Sequence, residues 1–90
     1  MSTGPTYQVI FRPSAAKALR KLPRDAQRTI REKARALATD PRPHGHIKLI
    51  DSDDLYRVRA GNYRIVYTIE DTALVVEVVK VGDRKDIYGP

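Results

Sequence analysis

The residues best suited to chemistry are three arginines around a two-residue break. Arg57 and Arg59 precede Gly61-Asn62, and Arg64 follows it. The flanking runs are rich in Val, Ile and Tyr, and Gly followed by a polar residue suits a type II′ turn, so residues 54–68 read as a β-hairpin. With Gly61 and Asn62 as the loop, Ala60 faces Tyr63, Arg59 faces Arg64, Val58 faces Ile65, Arg57 faces Val66 and Tyr56 faces Tyr67. Strand alternation then puts Arg57, Arg59 and Arg64 on one face and Tyr56, Val58, Tyr63, Ile65 and Tyr67 on the other. Guanidinium heads about 5 Å apart repel by ~3 kcal/mol at an effective dielectric near 20 and by less than ~1 kcal/mol in water. Two readings follow: the heads splay into solvent on a wet sheet face, or an external anion neutralises them. Arginine at all three positions leans toward phosphate, because its planar fork bonds oxygens in pairs and keeps its charge.

The elements that must position these residues are legible as patterns. Residues 7–12 alternate Tyr7, Val9 and Phe11 against Gln8, Ile10 and Arg12, which predicts a strand with one strongly apolar face. Ser14 is a candidate N-cap for a helix over 15–22, with Ala15, Ala18, Leu19 and Leu22 on its apolar side. A second helix over 24–39 carries a narrow stripe of Ala26, Ile30, Ala34 and Leu37 among basic residues, and Asp40-Pro41 stops it. Residues 41–54 form a connecting loop with a candidate short strand at 47–50, and the hairpin follows. The valine run of residues 73–81 predicts a strand in the middle of the sheet with both faces mostly covered, broken at Gly82-Asp83, with a short strand or tail at 84–88. The fold class is α+β: an antiparallel-rich sheet of about four strands, with an N-terminal helical hairpin packed on one face.

Ninety residues allow one domain, spanning residues 1–90, and the polar, Gly- and Pro-broken residues 1–5 are expected to be loose. The absence of cysteine rules out disulfides and thiolate metal sites and is consistent with a cytoplasmic location. No stretch resembles a signal peptide or membrane span. Seventeen Lys and Arg against 11 Asp and Glu leave a net charge of +6, which favours a polyanionic partner, either nucleic acid or an acidic protein.

Other polar clusters have plainer explanations. His44 and His46, one residue apart and without cysteine, read as a polar loop rather than a metal site, and Asp51, Asp53 and Asp54 read as solvated carboxylates or partners for the basic helices. Tyr56, Tyr63 and Tyr67 are packing residues with hydroxyls at the rim. Glu77 interrupts the valine run; on the arginine face it would pair with one of those arginines, and the pattern leaves its face open.

The series Leu-Tyr-Arg-Val-Arg-Ala-Gly-Asn-Tyr-Arg-Ile-Val-Tyr followed by Val-Gly-Asp-Arg-Lys-Asp-Ile-Tyr, after an opening strand and Ser-Ala-Ala-Lys-Ala-Leu-Arg-Lys-Leu-Pro, resembles the RelE/ParE superfamily of type II toxins, on the RelE side. The resemblance runs from Tyr7 to Tyr88. It implies a ribosome-dependent, metal-independent mRNA endonuclease that works in the A site by 2′-hydroxyl attack on the adjacent phosphate, with no cofactor. By similarity, Arg57 and Arg59 grip the mRNA backbone and help activate the nucleophile, while Arg64 stabilises the pentacovalent phosphate. Arg84 assists the leaving 5′-oxygen, Tyr88 stacks on or orients a base, and Lys48 is a further RNA contact. Some members place a histidine just before the terminal tyrosine; Ile87 stands there instead, so positioning and charge stabilisation carry the chemistry. The implied partners are an acidic antitoxin in a hetero-oligomer, the ribosome and mRNA. The superfamily also contains ParE-like gyrase inhibitors, and a degenerate RNA- or antitoxin-binding protein is a third alternative.

Overall fold

The structure, a computed structural model, describes residues 6–49 and 54–83. The elements run β1 (Gln8–Phe11), α1 (Pro13–Arg20), α2 (Arg24–Ala36), β2 (Ile47–Lys48), β3 (Leu55–Ala60), β4 (Tyr63–Glu70) and β5 (Val75–Asp83). They form a five-stranded sheet of order β1-β5-β4-β3-β2, one strand more than the sequence predicts, because the short β2 pairs with β3. All neighbours are antiparallel except β1 and β5, which run parallel. The α+β class stands, and both helices lie against one face of the sheet: α1 over β5 and β1, α2 over β4 and β3.

The helix stripes are buried as their spacing demands. Ala15 and Leu19 of α1, and Ala26, Ile30 and Ala34 of α2 with Leu37 just beyond it, reach the core, while Ala18 and Leu22 are partly buried. They meet Val58, Ile65, Tyr67, Val76, Val78 and Val81 from the sheet. A fully buried side chain such as Ile30 contributes about 2–3 kcal/mol through apolar area withdrawn from water.

Three local expectations are corrected. Ser14 is not the N-cap: α1 begins at Pro13, whose fixed φ and missing N–H suit a first helical position, and Arg12 precedes it. The second helix ends at Ala36, three residues early, because the chain tightens into i→i−3 bonds from the Ala38 and Thr39 amides to Arg35 and Ala36. Gly82-Asp83 does not break the last strand. Both residues pair within β5, opposite Arg64 and Tyr63.

The valine strand also departs from alternation. Val66 pairs with Lys80 and Tyr67 with Val78, so Val79 is an extra residue, a β-bulge. Val76 and Val78 face the helices before it and Val81 does so after it, and Lys80 and Gly82 turn to the other face. The helix-facing valines of β5 are buried, whereas Val75, Glu77 and Val79 remain partly exposed and Lys80 is exposed, because no helix lies on the second face of the sheet.

A polar clasp ties the loop after α2 to the sheet. The Arg42 guanidinium donates to both carboxylate oxygens of Asp71 at 3.3 and 3.0 Å and lies 5.5 Å over the Tyr56 ring. The Tyr7 hydroxyl donates to the same carboxylate at 2.6 Å. These two donors hold the Asp71 carboxyl below its ordinary pKa. The Tyr67 hydroxyl is not at the rim as predicted: the residue is fully buried and donates to the Pro41 carbonyl at 2.7 Å. His46 reaches the Pro43 carbonyl through Nδ1 at 2.8 Å and packs against Tyr56, so its ring is engaged in the loop.

Candidate nucleic-acid interface

The β3–β4 hairpin has the register that the Gly-Asn loop dictates: Ala60 pairs with Tyr63, Arg59 with Arg64, Val58 with Ile65, Arg57 with Val66 and Tyr56 with Tyr67. Gly61 has a φ of +63° and Asn62 has a negative φ, the combination of a type II′ turn. Arg57, Arg59 and Arg64 therefore share the face away from the helices, with Val58, Ile65 and Tyr67 in the core behind them.

Arg64 sits at the centre of this face. Arg59 flanks it on β3 and Gly82 on β5, so one neighbour is a cation and the other has no side chain. The Arg59–Arg64 pair lies one step from the closing pair of a two-residue hairpin, a non-hydrogen-bonded position where Cα atoms approach to about 4.5 Å. Backbone carbonyls restrain both heads. Arg59 Nε donates to the Gly61 carbonyl at 3.1 Å, and Arg64 Nη1 to the Tyr63 carbonyl at 3.2 Å. Each guanidinium carries five N–H donors in a planar fork, the geometry that bonds oxygens in pairs.

Lys80 is an interface cation that the sequence reading does not anticipate. It is exposed and lies opposite Val66, two rungs from the Arg64–Gly82 pair and on the same face. Its only sequence signal is a lysine inside a valine run; strict alternation from Val76 and Val78 would have turned it toward the helices. Glu77 does share the open face, but it pairs with Arg12 at 3.3 Å. Its rung, at Thr68, is four residues along β4 from Arg64, about 13 Å away.

The other predicted residues fall elsewhere. Lys48 pairs with Tyr56, which places it on the side of the sheet opposite the arginines. Arg84 and Tyr88 lie outside the described residues, as do Asp51, Asp53 and the short strand or tail expected at 84–88. Asp83 pairs with Tyr63 and so belongs to the helix-facing side, and both histidines are in the loop between α2 and β2. Among the described residues, the rungs next to Arg64 hold no histidine, and their one carboxylate, Asp83, stands opposite Tyr63 on the helix-facing side. Guanidinium groups so placed can donate paired hydrogen bonds to phosphate oxygens, and among the described residues the nearest carboxylate on this face, Glu77, is paired with Arg12 about 13 Å from Arg64.

The chain as a whole has close counterparts in sequence and in fold. Residues 9–88 match the family described as the ParE toxin of type II toxin-antitoxin system, parDE. The chain belongs to the RelE/ParE toxin superfamily. Within it, an Escherichia coli protein named for its likeness to RelE toxins is 36% identical over 91% of this chain and 90% of its own length. Toxin RelE of Mycobacterium tuberculosis is 30% identical over 98% and 92%. The RelE structure of the RelE-RelB complex from Pyrococcus horikoshii OT3 superposes with a TM-score of 0.77 at 33% identity, covering 88% of this chain and 96% of that one. This RelE-like chain is thus the toxin type of a type II toxin–antitoxin pair, and among its described residues no helix is long and apolar enough to cross a membrane.

Proposed function

We propose that this RelE-like toxin is a ribosome-dependent mRNA endonuclease, held in check by an acidic antitoxin. The observation that carries the reading is the shared face of Arg57, Arg59 and Arg64, with Arg64 between a second guanidinium and a glycine. In the proposed reaction the ribose 2′-oxygen bonds to the adjacent phosphorus, the P–O5′ bond breaks, and a 2′,3′-cyclic phosphate and a 5′-hydroxyl end are left. Charge builds on the nonbridging oxygens in the transition state. Arg64 meets it there, while Arg57 and Arg59 hold the flanking backbone and Lys80 adds to the local field. One preorganised donor of this kind is worth about 10²- to 10³-fold in rate. The 2′-hydroxyl proton passes to water and the leaving oxygen takes one back, a role that the resemblance gives to Arg84. Tyr88 orients a base in the same reading. Lys48, on the far side of the sheet, contacts RNA only outside this cradle.

The antitoxin partner follows from kinship with RelE-RelB complexes and from the +6 charge, which suits an acidic segment. A second reading, inhibition of DNA gyrase, is favoured by one observation, the ParE description of the matched family. Toeprinting on programmed ribosomes separates the two. A-site cuts that disappear with Arg64→Ala support the endonuclease, and intact mRNA together with blocked supercoiling supports the gyrase inhibitor.

A further inference from the structure

The outer side of α2 carries a second arginine array. Arg24, Arg28, Arg31 and Arg35 are all exposed and recur at steps of four, three and four residues. At about 100° per residue they fall within an arc of about 60° and extend about 16 Å along the axis. With Gln27 and Glu32 they line an open trough of about 410 Å³. Glu32 is the one carboxylate there, and among the described residues none of the four arginines has an ion-pair partner.

The stripe is unfavourable for the helix that carries it. Like charges three and four residues apart each destabilise a helix by about 0.2–0.5 kcal/mol, and Arg24 stands at the N-terminal end, where the helix dipole already places positive charge. A polyanion on this side would relieve both effects. The lining also indicates which polyanion. Protein interfaces are organised around buried apolar anchors, whereas contacts to a phosphate backbone need charge alone, at regular spacing. The trough has no apolar side chain. The neighbouring slot of Val9, Phe11, Ala34 and Ala38 does, and of the four arginines it shares only Arg31 and Arg35.

We infer that Arg24, Arg28, Arg31 and Arg35 form a second RNA-binding surface that grips the phosphate backbone of helical RNA, on the opposite side of the sheet from the Arg57–Arg59–Arg64 cradle. The inference builds on the proposed function: the sheet face takes the strand to be cut, and α2 holds folded RNA beside it. Exposed Arg24 and Arg28 line the trough and not the apolar slot, so Arg24→Gln/Arg28→Gln tests the surface with little effect on folding.

Binding of a short RNA duplex, measured against salt concentration, should weaken about tenfold in the double variant, with the slope of log K against log salt reduced by about 2, or about 1 per lost phosphate contact. Binding of a short single-stranded oligonucleotide should be unchanged, and Arg64→Ala should show the reverse pattern. An unaltered duplex affinity and slope overturns the inference. So does loss of antitoxin binding with RNA affinity intact, which would assign the stripe to a protein. If the duplex result holds but programmed ribosomes are never cut, the α2 surface stands and the endonuclease reading fails.

Discussion

Arg59 and Arg64 face each other directly across the β3–β4 hairpin, in a rung where side chains approach most closely. Like charges so placed cost a hairpin about 0.2–1 kcal/mol. Replacing Arg59 by Gln should therefore raise stability by a few tenths of a kcal/mol in urea denaturation at low salt, with the gain shrinking as salt screens the pair. Phosphate should stabilise the wild type more than the variant, because the anion binds the folded pair. A variant no more stable than wild type at low salt would show that the two heads do not repel.

Gly61 holds a φ of +63°, and a Cβ placed there would stand 3.4 Å from Thr29 Cγ2. Gly61→Ala should cost about 1–2 kcal/mol, mostly from the left-handed backbone. Gly61→Asn should cost less, since asparagine enters that region more readily. Equal midpoints for the two variants would contradict this account of the turn.

Tyr67 donates to the Pro41 carbonyl from a fully buried position. Tyr67→Phe should lose about 1–2 kcal/mol in chemical denaturation, because the carbonyl is left without its donor. Burial also raises the Tyr67 pKa above the usual value near 10. Above that pH the unfolded chain releases this proton while the folded chain keeps it, so stability should fall as pH rises. Tyr67→Phe should flatten that alkaline slope, and an unchanged slope would mean that another group sets it.

The Asp71 carboxyl is held low, first by its hydrogen bonds from Arg42 and then by that from Tyr7. A depressed folded pKa gives stability that is present above the unfolded value near 3.8 and lost as pH falls through the folded one. The stability gap between wild type and Asp71→Asn should therefore narrow on acidification in that window. The pair is exposed, so high salt should narrow it as well. Amide exchange at Tyr7, whose N–H bonds the Ala38 carbonyl beside this clasp, should quicken in the variant; unchanged protection would mean that the clasp does not secure the strand.

Local chemistry was enough to read the hairpin from the amino-acid order. A two-residue loop permits one register, and one register assigns every side chain in both strands to a face, so the common face of Arg57, Arg59 and Arg64 follows from Gly61-Asn62 alone. The buried stripes of α1 and α2 are legible for a similar reason, since helical spacing defines a side without reference to the rest of the chain. Contacts between distant segments settled the remainder. The parallel pairing of β1 with β5 joins residues more than sixty positions apart, and the bulge at Val79 exists only in relation to β4. That single extra residue reverses the alternation of β5: it buries Val81, turns Lys80 onto the arginine face and brings Gly82 opposite Arg64. Arg12, across the β1–β5 pair, draws Glu77 away from the cluster. An alternating pattern reports which residues share a side, but where the alternation slips depends on the partner strand.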